Sequence, residues 1–261
     1  SEGAPILNLN AENPYPDGVT SLQRDLLRNI DRLHRKNRPN QLQLDARINS
    51  YELAARMQLE AADVLDINQE NKETLEMYGV GGKTTDSYAK RCIMARRMVE
   101  RGVRYVQIFM SGQPWDSHNG LENSIRSAAG QTDQPVAALV KDLKQRGLLE
   151  DVLVVWGGEF GRLPIAQMRD KKNYESAGRD HGPRGFTLWM AGGGIKPGVS
   201  YGGTDEVGYA AQENPVSIAD WHATMLHLLG LHHHDLFFER NGLKERLTDT
   251  FKPRVVEEVL A

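Results

Sequence analysis

Cysteine is almost missing from the 261-residue chain. Cys92 stands alone, which excludes an internal disulfide and any cysteine-based zinc site. No apolar run approaches the roughly 20 residues needed to span a bilayer, so the chain itself carries no expected transmembrane segment. An excess of one charge is missing too: 35 acids against 32 bases leave a net charge of −3. No strongly basic face follows, and nucleic acid is a poor partner for this surface. Repeats and low-complexity tracts are lacking, and 39% hydrophobic with 26% charged residues excludes general disorder. The chain starts at Ser1 and shows no signal-peptide pattern, so it reads as a processed product or an excised piece.

What is present suits one large α/β domain or two small ones; the reading adopted is a single domain over 1–261. Its first part, 1–102, is mainly helical. Thr20 and Gln23 have capping-box spacing, and Leu22, Leu26, Ile30 and Leu33 keep one apolar face. A second helix is expected over about Asp45 to Ala62, with Ile48, Ala55 and Leu59 on one side. A third runs from near Ser87 to Glu100, with Gly102 as its stop and Tyr88, Cys92, Ala95 and Val99 on one stripe. Cys92 on that stripe is a small core residue rather than a nucleophile.

The second part, 103–250, alternates strands and helices. Val103 to Met110, Val152 to Trp156 and Phe186 to Ala191 read as strands. One helix starts at Thr132 or Asp133 with Pro135 near its first position, and another is capped by Asp220 and stopped at Gly230. Strand, helix and strand with short linkers predict an α/β fold with a mostly parallel sheet flanked by helices.

Ligands of such sheets bind beyond the strand ends. There the chain places Trp115-Asp116-Ser117-His118 and Gly157-Gly158-Glu159-Phe160-Gly161-Arg162. A carboxylate and an imidazole two residues apart can share a divalent cation; an Asx-turn with a surface histidine is the plainer reading. Gly178-Arg179-Asp180-His181-Gly182-Pro183-Arg184 is either a solvated loop or a ligand, His181, beside arginines shaped for sulfate or phosphate. His181 enters its expected strand rather than leaving it. It reaches the same edge only if that strand is antiparallel or the loop folds back. His222, His232, His233 and His234 read as helix or turn residues, and Asp205 and Glu206 as loop acids.

Taken together, Trp115 to His118, Leu153 to Arg162, Gly178 to Pro183 and Asp220 to Gly230 resemble an uncharacterised family of exported bacterial proteins. That family is placed among the sulfatase-like members of the alkaline phosphatase superfamily. The resemblance covers about residues 40 to 250. It implies an alkaline phosphatase/sulfatase-like fold and metal-dependent hydrolysis of sulfate or phosphate esters. It also implies a divalent ion (Zn, Ca, Mg or Mn) on Asp116, His118, Glu159 and His181, with Arg162, Arg179 and Arg184 facing an anionic ester. Export to the periplasm or beyond is implied as well. Phe160 stands where a histidine is expected, and no Cys-x-Pro-x-Arg surrounds Cys92. The superfamily's first strand and nucleophile have no match in Ser1 to Thr20 and are expected upstream. A non-catalytic binding or scaffold protein that keeps the fold is the alternative.

Overall fold

The computed structural model describes residues 15–16, 18–38, 41–158, 160–168, 174–246, 248 and 251–261. Its helices are α1 (Val19–Lys36), α2 (Leu42–Leu65), α3 (Lys72–Tyr78), α4 (Asp86–Glu100), α5 (Leu121–Gln145) and α6 (Ile218–Leu228). Its strands are β1 (Val154–Trp156), β2 (Gly161–Gln167), β3 (Gly178–Gly182), β4 (Trp189–Ala191), β5 (Gly203–Thr204), β6 (Ala211–Glu213), β7 (Phe237–Arg240) and β8 (Leu243–Arg246). By internal contacts the chain divides into Ser1–Asn71 with Arg97–Val106, and Lys72–Arg96 with Gln107–Ala261.

In the first unit, the 4-4-3 spacing of Leu22, Leu26, Ile30 and Leu33 does form a helix stripe on α1. Its cap differs from expectation. Gly18 at φ 85° precedes the helix and no side chain caps it, so the Thr20/Gln23 box is not made. Arg97 closes the end of α2: its guanidinium donates to the carbonyls of Asp63 and Val64 at 2.7 Å each and pairs with Glu70 at 2.6 Å. Carbonyls in the last turn of a helix have no helical partner, and a buried arginine fork satisfies two of them here.

In the second unit, α3, the first eleven residues of α4, and α5 supply most of the core. Tyr78, Ala89, Cys92, Ile93, Ala138, Leu139 and Leu143 are buried. Among them lies an ionic knot. Asp142 accepts from the Tyr78 hydroxyl at 2.9 Å, and Arg96 and Arg146 stand 3.0 and 2.7 Å from its oxygens. Helix α5 starts eleven residues before Thr132 and contains Pro135. Ala128, Thr132, Pro135 and Leu139 keep one buried face through that point, so burial outweighs the one hydrogen bond that proline removes. At α6 the cap is Ser217, with Asp220 as its reciprocal partner at the third helical position.

The expected mostly parallel, alkaline phosphatase/sulfatase-like sheet is not what forms. Among the described residues the strands pair only as antiparallel twos: β1 with β4, β2 with β3, β5 with β6, and β7 with β8. The apolar runs were read for strand propensity, but a strand exists only where a neighbour pairs its backbone groups. Val103 to Met110 finds no such neighbour and forms no strand, with Val103, Tyr105 and Phe109 exposed. A parallel pair needs a long crossover, usually a helix. Between β1 and β4 the described chain instead carries the β2–β3 hairpin, so β4 returns against β1 in the opposite direction, Trp156 opposite Trp189.

Candidate metal centre

The β2–β3 hairpin builds one half of the site and the loop before α5 builds the other. In the ladder Arg162 lies opposite His181, and Gln167 opposite Gly178. The loop is fastened alongside β3: Asn119 bridges Ala177, Arg179 N–H donates to Ser117 O at 3.0 Å, and Leu121 N–H to Ala177 O at 3.1 Å. This fastening needs Gly178. A Cβ there would strike the His118–Asn119 peptide, so only glycine lets the two backbones approach so closely.

The result is a triangle of donors. His118 Nε2 lies 3.0 Å from Asp116 Oδ1, His181 Nε2 lies 3.1 Å from the same oxygen, and the two imidazole nitrogens are 3.1 Å apart. Donors held about 2.0–2.1 Å from one ion are about 2.9 Å apart at right angles and about 3.4 Å apart in a tetrahedron. The observed sides fall between these limits. His118 Nδ1 faces Gln167 Oε1 at 2.8 Å, which places its proton on Nδ1 and leaves the Nε2 lone pair inside the triangle. A lone pair aimed at a carboxylate is unfavourable unless a cation, a metal ion or a second proton on the ring, lies between them. Asp116, His118 and His181 thus form a candidate metal-ligand group.

Arg162 completes the electrostatics. Its Nη2 lies 2.5 Å from Asp116 Oδ1, and with His181 it holds the Asp116 carboxyl below the usual carboxylate range. Among the described residues its Nη1 is buried without a hydrogen-bond partner, a donor left over for an anion. Asp180 Oδ1 accepts from the His181 backbone N–H at 2.8 Å, and the Phe160 ring packs 4.5 Å from the imidazole of His181.

Of the residues singled out by sequence, Asp116, His118, His181 and Arg162 come together. His181, expected in a loop entering the strand Phe186 to Ala191, instead lies within a strand of its own, β3, antiparallel to β2. Arg179 is on the same strand and exposed. Arg184 lies in the following turn with its guanidinium 5.8 Å from the Tyr209 ring centre. Glu159 lies outside the described residues. Asp205 accepts three backbone N–H bonds from its own turn, from Val207, Tyr209 and Ala210, a structural role. The structure adds roles for Gln167 and for Gly178. Neither carries a sequence signal, because their importance comes from being opposite each other and under His118.

The family model described as "Protein of unknown function (DUF1501)" matches residues 1–260. The chain belongs to that family. No curated protein and no solved structure matches it. The DUF1501 match carries no link to sulfatases or alkaline phosphatases. Among the described residues no helix is long and apolar enough to cross a membrane.

Proposed function

We propose that the chain is a metal-dependent hydrolase of sulfate or phosphate esters. The observation that carries this reading is the triangle of Asp116 Oδ1, His118 Nε2 and His181 Nε2 with sides of 3.0–3.1 Å. Two imidazoles and one carboxylate suit zinc or manganese better than calcium or magnesium, which favour all-oxygen shells. When bound, such an ion supplies Lewis-acid stabilisation of the charge that grows on an ester's oxygens. Arg162 contributes in two ways: Nη2 orients Asp116, and the unpartnered Nη1 can donate to a sulfuryl or phosphoryl oxygen. Gln167, accepting from Nδ1–H, turns the Nε2 of the neutral His118 ring toward the triangle. Arg179, exposed on the same strand, adds positive charge for an anionic substrate. Export, which the sequence resemblance implies, belongs to this same proposal.

The test is to load the protein, purified in the longest form its gene encodes, with zinc or manganese, measure binding by calorimetry, and assay 4-nitrophenyl sulfate and 4-nitrophenyl phosphate. One tightly bound ion, and turnover that needs it and falls at least about 100-fold in Asp116→Asn, is the expected result. No binding above trace, or turnover indifferent to Asp116→Asn, overturns it. A non-catalytic metal-binding protein is the second reading, supported by Phe160 packing on His181 where the resemblance expects a histidine. Metal bound in the triangle with no turnover of either ester favours that reading.

A further inference from the structure

Next to the triangle is an open groove of about 440 Å³, lined by Gln113, Pro114, Asp116, Ser117, Asn119, Asn123, Ser124 and Ser127. Its composition is informative. Six of the eight side chains are amides or hydroxyls, one is a carboxylate, and none is a cation or a large hydrophobe. Asp116 is already paired with Arg162. The groove wall offers a second phosphate or sulfate no lysine or arginine of its own, and Pro114 is its single apolar residue. Amides and hydroxyls both donate and accept, and so complement ligands whose groups do the same.

Two details mark the groove as more than a polar dent. Ser117 is 4% exposed, yet among the described residues its Oγ is buried without a hydrogen-bond partner, and the residue lines the groove. A hydroxyl in that position costs stability unless a ligand or water completes it. The wall made by Asn123 and Ser124 is the first turn of α5. Gly120 gives that helix no side-chain cap, so the first-turn N–H groups of Glu122 and Asn123 lack helical acceptors. Leu121 N–H is already taken by Ala177 O.

We propose that this groove binds the alcohol part of the substrate, and that this part is an uncharged, hydroxyl-rich group such as a sugar ring or polyol. The inference rests on the ester-hydrolase reading for its role, because Asp116 belongs to both the groove and the triangle. It therefore assigns the substrate class: a sulfate or phosphate ester of a polyhydroxylated alcohol, with the charged head at the donor triangle and Arg162, and the hydroxyls toward Ser117, Asn119, Asn123 and Ser124.

The test separates the groove from the metal. Methyl glucoside, methyl galactoside and myo-inositol are titrated into the full chain by ligand-observed NMR, alongside inorganic sulfate and 4-nitrophenol, with zinc affinity measured in parallel. The proposal expects at least one neutral polyol to bind and its affinity to fall about tenfold in both Asn123→Leu and Ser124→Val, with zinc affinity unchanged. Circular dichroism confirms that each variant folds, and Ser117→Ala, the smaller change, repeats the measurement without filling the groove. Absence of polyol binding overturns the proposal. So does polyol binding that all three variants leave intact, or groove binding by sulfate or 4-nitrophenol in preference to the polyols. Polyol binding without zinc binding sinks the hydrolase reading and leaves the groove standing. Zinc-dependent turnover without polyol binding does the reverse.

Discussion

Gln167 Oε1 lies 2.8 Å from His118 Nδ1, and this contact decides which imidazole nitrogen carries the proton. Gln167 is the last residue of β2 and opposes Gly178 at the start of β3, so the same ladder that brings His181 to Asp116 also delivers the residue that orients His118.

Replacing Gln167 by Leu removes that orientation. Partners behind a ligating histidine are generally worth about 10- to 100-fold in metal affinity. Zinc binding of Gln167→Leu measured by calorimetry should fall within that range with the fold unchanged by circular dichroism. Affinity equal to that of the parent chain would show that the contact does not orient the ring.

Gly178→Ala probes the fastening between loop and hairpin. The added Cβ strikes the His118–Asn119 peptide, so the loop must move away from β3 and the triangle opens. The expected outcome is loss of zinc binding out of proportion to the loss of thermal stability. Ala177→Gly serves as a nearby control that adds no bulk. A Gly178→Ala protein that binds zinc normally contradicts the close approach.

The Asp142 knot predicts a stability change far from the metal centre. Arg96 is 2% exposed and its guanidinium lies 3.0 Å from Asp142. Asp142→Leu leaves that buried guanidinium without its carboxylate and should cost about 3 kcal/mol or more in urea unfolding. Tyr78→Phe, which removes only the hydroxyl donor, should cost about 1 kcal/mol. Equal effects of the two changes would refute the ranking.

Cys92 gives a pH prediction. Burial pushes its thiol up to about 12, against roughly 8.5 for a free cysteine. Its folded value is raised, so the stability associated with the protonated thiol is complete below about pH 8.5. It declines as pH rises toward 12, because the unfolded chain loses that proton first. Iodoacetamide at pH 8 should therefore label Cys92 only in urea. Rapid labelling of the native chain would place the thiol at the surface.

Legibility differed between elements for a physical reason. The helices α1, α2 and α4 follow local periodicity, and their observed bounds lie within a few residues of those read from Leu22, Ile48 and Cys92. The strands were read in the wrong arrangement, because Val103 to Met110 has the composition of a strand but no partner. The site falls between these cases. Asp116 with His118, and His181 among its arginines, were visible as chemistry in short segments. The roles of Gln167, Gly178 and the buried Ser117 were not, since each residue acquires its role from another distant in sequence.

By itself the sequence determined three helices of the first part (α1, α2 and α4, but not the short α3), the exclusion of disulfide and cysteine-zinc chemistry, and the identity of the ionisable residues available to a metal. These depend on side-chain type and on spacing within one or two turns. Only the tertiary structure decided that strands pair antiparallel, that His181 rather than a neighbour completes the triangle, and that an uncharged groove adjoins it. Those outcomes depend on which distant segments satisfy one another's backbone groups, and the register between Arg162 and His181 is set by that pairing.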